Sequence, residues 1–300
     1  MKFSHAMDFG DTPRGHYVTA AKRSAEPKYA EMDFPIEEFM VGGPALMAGA
    51  ANVIMQLALP GVGYGVLESK VESGQAMRHP VKRARTTFTY LSVAMLGSDT
   101  ERAAYRRAVN GQHAQVRSDE NSPVKYNAFD PNLQLWVAAC LYWGFEDVYR
   151  KMRGPIPAQH ADAFYRYGAR MGTTLQMRED MWPADRQAFE AYWTDMQMSM
   201  RIDEPVRRYL DSLVRLGNLP WLLRAPMAPL HRFVTIGFLP PMFREQMRYE
   251  WSDRDQRRFN RLMRAIGIFN NLTPAPLRMF PFNMYLWDMR RRIRRGRPLV

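Results

Sequence analysis

The residues most able to carry chemistry lie between Lys82 and Trp136. His113 falls four residues after Val109 and three before Val116 on a helical pattern, so it shares the apolar side of that helix. Both ring nitrogens of a histidine at the edge of a core need partners. Histidine is the commonest metal ligand, but a core histidine bonded to a backbone carbonyl is the more frequent outcome. The spacing alone leaves both interpretations open.

Several kinds of site are disfavoured by what the sequence lacks. No second His or Cys lies near His113 at a zinc or copper spacing, although a haem needs only one protein ligand. His231, with Arg232 beside it, is a second candidate ligand. The glycines of 60–65 lack the strand and the Gly-Lys-Ser/Thr ending of a phosphate loop. Neither Gly-x-Ser-x-Gly nor His-Glu-x-x-His occurs, and the one cysteine, Cys140, lies in an apolar segment, so the sequence gives no support to a hydrolase.

Three predicted helices must position these residues. An apolar stripe predicts the first helix, and Gly97 ends it; the stripe is Val81, Ala84, Phe88, Leu91 and Met95. Ser98 and Glu101 form a capping box that starts the second helix, which carries His113. Asp130-Pro131 starts the third helix, which is apolar nearly all round over 133–145 and therefore suits the wall of an apolar pocket. The glycines of 60–65 are expected to stop a preceding helix and to let the backbone approach a cofactor or a helix closely.

The chain as a whole has the composition of one large helical domain. Its 300 residues are 46% hydrophobic, no linker-like stretch divides them, and no alternating strand pattern of useful length occurs. We therefore expect an all-α fold with a flexible N-terminal arm over 1–34, a domain over 35–289 and a basic tail over 290–300. Residues 220–241 are the least polar; we expect them to pack on the core, with a membrane-interface position as the alternative.

Charge and targeting patterns suggest possible partners and a location. The net charge is +12, and arginines are concentrated in 290–297. This tail either contacts an anionic membrane peripherally or is a solvated end; no nucleic-acid motif accompanies it, so no nucleic-acid partner is expected. No signal peptide and no membrane-spanning apolar run are visible, and a single cysteine suits a reducing compartment. We expect a cytoplasmic protein, peripheral at the membrane if the tail binds lipid.

The order of these features resembles the catalytic domain shared by bacterial rubber oxygenases (latex-clearing proteins) and the fungal membrane-bound oxygenases of mycophenolic acid biosynthesis. The central matching residues are Pro80, Arg85, Thr86, Gly97, Glu101, His113, Ala114, Val116, Arg117, Tyr126, Ala128, Asp130, Pro131 and Trp136. Segments at 42–44, 56–60 and 237–244 also fit, so the resemblance covers most of residues 35–295.

The resemblance implies a globin-like helical bundle around a b-type haem. By position, His113 is the proximal ligand of the haem iron, and Lys82 and Arg117 join it in the cofactor-binding set. The resemblance gives catalytic positions to Arg85, Thr86 and Glu68.

Arg85 and Thr86 fall where latex-clearing proteins have a Lys-Thr pair on the distal side of the haem, placed to act on O2 or on a haem propionate. Because arginine stays protonated, a closed state with an amine on the iron is not available to this chain. Glu68 matches an acidic residue proposed as a base in the rubber-cleaving branch.

The implied function is that of a haem-dependent oxygenase acting with O2 on an apolar, isoprenoid or lipid-like substrate, with oxidative C=C cleavage as one reaction of the class. A second hypothesis is a non-catalytic haem- or lipid-binding helical protein at the membrane periphery. A third is a helical interaction protein with no cofactor.

Overall fold

The computed structural model describes residues 35–300, so the predicted arm over 1–34 lies outside the described residues.

Short local signals account for where many of the helices begin. The capping box at Ser98 and Glu101 is present, and Ser252 and Asp255 form another. Asp130 accepts a hydrogen bond from the Asn132 backbone N–H, with Pro at the first helical position as predicted.

The described residues, 35–300, lie in one compact unit and are all-α, as predicted. Among them the only β-type pairing is an isolated bridge between Arg117 and Asn127. Short 3-10 turns occupy Glu72–Gly74 and Glu179–Met181. The α-helices are α1 (Ile36–Phe39), α2 (Gly42–Leu57), α3 (Pro60–Leu67), α4 (Pro80–Leu96), α5 (Asp99–His113), α6 (Pro131–Arg153), α7 (Ala158–Gly168), α8 (Arg170–Thr173), α9 (Arg186–Met198), α10 (Glu204–Val214), α11 (Trp221–Phe238), α12 (Pro241–Gln246), α13 (Asp253–Leu272), α14 (Ala275–Arg278) and α15 (Phe282–Arg294).

The helix α2 ends at Leu57, just ahead of the glycine-rich segment, as expected, and the chain bends by 111° there. What the sequence did not indicate is that residues 60–65 themselves form a helix, α3. Their glycines let neighbouring parts of the chain pack closely: a Cβ on Gly63 would lie 2.6 Å from the Leu57 carbonyl oxygen and 3.3 Å from Val206. Tyr64 is buried and donates a 2.5 Å hydrogen bond to Asp203, just ahead of α10. Tertiary packing therefore overrides the low helix propensity of this glycine-rich segment.

The helix α6, which is apolar nearly all round over 133–145, lies at the centre of the unit. It packs against α2, α13 and α8, while α4 packs against α15, α5 and α8. Aromatic rings fill the space beside α6: Trp136 stacks on Trp193 at 5.0 Å, and Tyr142 meets Phe189 edge-on at 5.0 Å. Among the described residues this wall of α6 is thus core packing.

The least polar region divides into two unlike halves. In α11, Val234, Ile236 and Phe238 are buried, which fits the expected packing on the core. The first half of α11 differs, because Trp221 and Leu222 are exposed by 67% and 66%. Packing explains only the second half.

The C-terminal residues are tied to the rest of the fold. The helix α15 continues to Arg294, and Arg290 donates two hydrogen bonds to the Glu101 carboxylate, at 2.7 and 3.2 Å. Leu299 and Val300 pack against a buried cluster of α4, α5 and α15. Some of the terminal arginines therefore have structural partners.

Candidate active site

His113 is the last residue of α5 and is largely buried beside Phe129, with the two ring centroids 6.2 Å apart. Its Nδ1 atom is buried and has no hydrogen-bond partner among the described residues. Burial lowers the pKa of His113 to about 4, with a smaller contribution from the positive charge of Arg83. The imidazole is consequently neutral at pH 7 and has a lone pair to offer.

The two candidate histidines have different environments. His231 places Nδ1 2.7 Å from the Val214 carbonyl oxygen, which is the ordinary arrangement of a core histidine. His113 makes no such bond within residues 35–300. The backbone-carbonyl interpretation that the sequence left open therefore describes His231 and not His113.

Arg83, on the first half of α4, is the residue whose positive charge lowers the pKa of His113. Burial lowers the pKa of Arg83, and Tyr209 and Tyr105 are its other electrostatic neighbours. No carboxylate forms an ion pair with Arg83 in the described part of the chain. A neutral imidazole and a guanidinium without a counter-ion thus share one region, which suits a ligand carrying both a metal and an anionic group.

Hydrogen bonds fix the helix that carries the predicted Arg-Thr pair. The Tyr105 hydroxyl donates to the Thr86 carbonyl oxygen at 2.8 Å, and the Thr86 hydroxyl donates to the Arg83 carbonyl oxygen at 3.0 Å. Burial raises the pKa of Tyr105, while the charges of Arg85 and Arg83 act in the opposite direction. Arg83, Arg85 and Thr86 therefore lie around Tyr105.

The other two predicted cofactor-binding residues lie nearer the surface. Lys82 forms a 3.7 Å ion pair with Glu72, and its side chain is 38% exposed. Arg117 is exposed, and its backbone pairs with Asn127 in the isolated bridge. This pairing joins the His-Ala-x-Val-Arg segment to the Tyr-x-Ala-x-Asp-Pro turn.

Glu68 follows α3 and holds the loop before α6 in place. Its Oε2 accepts hydrogen bonds from Tyr126 and Ser122, each at 2.7 Å, and this contact helps burial raise the pKa of Tyr126 to about 12. No hydrogen bond or ion pair joins Glu68 to Arg85 or His113 within residues 35–300. The structure thus brings His113 together with α4 but does not place Glu68 in contact with them.

Sequence reasoning missed Arg83 and Tyr209. The signal for Arg83 was present: Arg83, Thr86 and Tyr90 recur at three- and four-residue steps, which places them on one face of α4. Tyr209 comes from α10, more than ninety residues later, and no local pattern connects it to this site. No group of three or more His, Cys, Asp or Glu side chains in the described part could hold a metal ion.

Comparison with known proteins defines the class. Residues 39–268 match the family described as "ER-bound oxygenase mpaB/B'/Rubber oxygenase, catalytic domain", and this range includes all the site residues above. The chain belongs to this family, which confirms the resemblance seen in the sequence and makes it an oxygenase-family catalytic domain.

Two relatives are 52% identical over 255 residues, covering 85% of this chain and the whole of each relative. They are named "Uncharacterized protein Rv2237" of Mycobacterium tuberculosis (strain ATCC 25618 / H37Rv) and "Uncharacterized protein Mb2261" of Mycobacterium bovis (strain ATCC BAA-935 / AF2122/97). No solved structure matches the chain significantly.

Membrane-spanning capacity can be judged helix by helix over the described residues. None of these helices is by itself long and apolar enough to cross a bilayer. The pair α2 and α3 meets the criteria of length and composition only when joined, and the two helices are bent by 111° at their junction.

Proposed function

We propose that this chain is a haem b-dependent oxygenase that acts with O2 on an apolar, isoprenoid or lipid-like substrate, with oxidative C=C cleavage as the reaction to test first. The observation that carries the proposal is the pairing of an unpartnered, neutral His113 with Arg83, a cation without a counter-ion. A haem fits both residues, because its iron takes an imidazole nitrogen and its propionates take a guanidinium.

The chain's residues divide between holding the cofactor and setting the polarity near it. His113 would bind the iron, and Arg83 would bind a propionate, with Lys82 and Arg117 as further cations of the cofactor-binding set. When bound, haem supplies the chemistry of O2 activation, which no side chain of the protein provides. Exclusion of water around His113 keeps its imidazole unprotonated, so the ligand is ready without prior loss of a proton.

Arg85, Thr86 and Glu68 are the proposed catalytic residues. Arg85 is a fixed cation with several donors, suited to a developing negative charge. The Thr86 hydroxyl already donates a hydrogen bond to a carbonyl oxygen, so its own oxygen can accept a hydrogen bond from another donor. Glu68 uses Oε2 for both of its hydrogen bonds, and its Oε1 would be the atom that accepts a proton.

The second candidate function is a non-catalytic haem- or lipid-binding protein. The exposed apolar first half of α11 favours it, since such a surface suits lipid whether or not the protein turns anything over. Peripheral membrane contact through the basic C-terminus, a cytoplasmic location and the lack of a nucleic-acid partner remain predictions.

The first test is the absorption spectrum of the purified protein, oxidised and after dithionite, with haem added back. We expect a Soret band that shifts on reduction. His113→Ala should remove the band, whereas the matched control His231→Ala should keep it. Arg83→Met should keep the band but weaken haem affinity about tenfold, as the loss of a residue that supports a metal group typically does.

A wild-type protein that stays colourless after reconstitution, or a His113→Ala variant with stoichiometric haem and an unchanged spectrum, would refute the assignment. With haem established, O2 uptake in the presence of an isoprenoid alkene separates the two candidates. An enzyme consumes O2 and forms an oxidised product carrying label from 18O2. A lipid-binding protein shifts its spectrum on adding lipid without consuming O2.

A further inference from the structure

The first half of α11 presents an apolar surface. The five large apolar side chains of this segment are all more than half exposed: Trp221 67%, Leu222 66%, Leu223 54%, Met227 52% and Leu230 58%. The second half of the same helix is anchored in the core by Val234, Ile236 and Phe238. An apolar helix segment that is held at one end and carries an exposed Trp has the character of a membrane-interface element.

A cavity rich in arginine lies beside this segment. It has a volume of roughly 500 Å³ and is bordered by α10 and the loop after it, by α11, and by residues 247–249, which follow α12. Its basic lining residues are Arg207, Arg208, Arg215, Arg224, Arg232 and Arg248. Two of them, Arg224 and Arg232, belong to α11 itself, so the cavity and the apolar surface share one helix.

The acidic residues of the cavity do not balance these cations. Only Glu204 and Asp211 line it, and Asp211 is bonded to Arg215 at 2.7 Å. Glu204 is paired with Arg207 and, at 3.9 Å, with a second arginine. Arg224 and Arg248 have no acidic partner among the described residues.

The lining of the cavity is also held in an unusual backbone conformation. Arg248 and Leu216 have φ values of 57° and 54°, and they are the two non-glycine residues of the described part in the left-handed region. Arg248 lines the cavity, and Leu216 lies between two lining residues, Arg215 and Gly217. Such conformations persist where the surrounding structure imposes them. Arg232 lies over the Tyr249 ring at 5.1 Å, and the Tyr249 hydroxyl donates to Asp211 at 3.0 Å.

We propose that the first half of α11 and this arginine cavity together form a docking surface for membranes of anionic phospholipid. The apolar side chains of α11 insert below the headgroups, and the cavity binds a headgroup phosphate. Arginine suits this role because its planar fork bonds phosphate oxygens in pairs. The excess positive charge beside an apolar segment favours an anionic bilayer over a protein partner, whose apolar interface core is typically depleted of charge.

The test is flotation of the full-length protein with vesicles of phosphatidylglycerol and phosphatidylcholine, compared with vesicles of phosphatidylcholine alone. We expect binding to the anionic vesicles only. Leu222→Ser/Leu230→Ser should abolish it, whereas Leu272→Ser/Leu277→Ser, which changes two other exposed leucines, should not. Because flotation needs no haem, a failure here is distinguishable from a failure of the proposed function.

A second pair of variants separates a built phosphate site from general charge attraction. Arg224→Gln/Arg248→Gln should weaken binding to anionic vesicles about tenfold or more. The reason is that each cation near an anionic surface strengthens binding several-fold, and this variant removes two of them. Arg107→Gln/Arg166→Gln removes the same charge from exposed positions outside the cavity and should leave most of the binding intact.

Four results would overturn the proposal. Equal losses in the two arginine pairs would indicate charge alone. Loss only in Arg294→Gln/Arg295→Gln would assign binding to the C-terminal segment. Binding of inorganic phosphate without any vesicle binding would make the cavity a site for a soluble anion. Self-association that Leu222→Ser/Leu230→Ser removes, without vesicle binding, would make the α11 surface a contact between copies of the chain.

Discussion

Replacing His113 with a residue that cannot titrate should change how the stability of the apoprotein depends on pH. The folded protein holds the pKa of His113 at about 4, below the ordinary value of 6.5. The unfolded chain therefore binds more protons between these two pH values, and the free energy of unfolding falls as the pH falls from 6.5 towards 4. His113→Gln removes this effect while keeping a polar side chain of similar length.

The interval between the two pKa values sets how much stability the folded protein loses as the pH falls. Each pH unit corresponds to about 1.4 kcal/mol, so protonation of His113 costs the folded state about 3 kcal/mol over the whole interval. Between pH 7.5 and pH 5 the wild type should lose about 2 kcal/mol more than His113→Gln. Above pH 7 the two curves should run parallel, because His113 is then neutral in both states.

The assay is urea unfolding of haem-free wild type and His113→Gln at half-unit steps from pH 7.5 to pH 5. Groups other than His113 titrate in both proteins, so their contributions cancel in the difference. A difference that stays constant across this range would refute the reasoning. It would show that His113 is not shielded from water and that the fold does not hold its imidazole neutral.

Three further substitutions test the helix packing and the loop that Glu68 holds. Gly237→Ala should destabilise the protein by about 1–3 kcal/mol in urea unfolding, because the added Cβ would lie 2.2 Å from the Phe259 ring. The control is Gly111→Ala, where an added Cβ would have nothing within 4 Å; it should be neutral or stabilising by up to about 1 kcal/mol. Glu68→Gln should lower stability by about 1–2 kcal/mol, because it weakens two charge-assisted hydrogen bonds, and unchanged stability would contradict the contacts with Tyr126.

What the sequence predicted well is local. Helix starts at Ser98 and Asp130 depend on residues two or three positions apart, so a short stretch contains all the information. The α3 helix was missed because its stability comes from distant contacts, such as the bond from Tyr64 to Asp203. Helix propensity depends only on the local sequence, so a glycine-rich segment gives no indication of such a contact.

In the candidate site, too, the local features were predicted and those set by tertiary contacts were not. Periodicity correctly placed His113 on the buried side of α5, and the unmet hydrogen-bonding need that this implied is present at Nδ1. The cations predicted to join His113 in the cofactor-binding set were Lys82 and Arg117, whereas the charge that lowers the pKa of His113 is that of Arg83. Lys82, Arg83 and Arg85 lie within about one turn of α4, so the sequence alone does not decide which of them lies nearest the histidine.

His113 is neutral despite a position that favours its charged form. The carbonyl groups at the C-terminus of a helix stabilise a protonated histidine by about 0.3–1 kcal/mol, and by about 2 kcal/mol where it is partly buried. Burial and the charge of Arg83 lower the pKa of His113 to about 4, which corresponds to about 3 kcal/mol in the opposite direction and exceeds what the helix end offers. A histidine that served only to stabilise α5 would gain from being charged. The fold instead maintains a cation beside it and leaves its ring nitrogen unpartnered, which is an arrangement that a metal-bearing, anionic cofactor would stabilise and that the polypeptide alone does not.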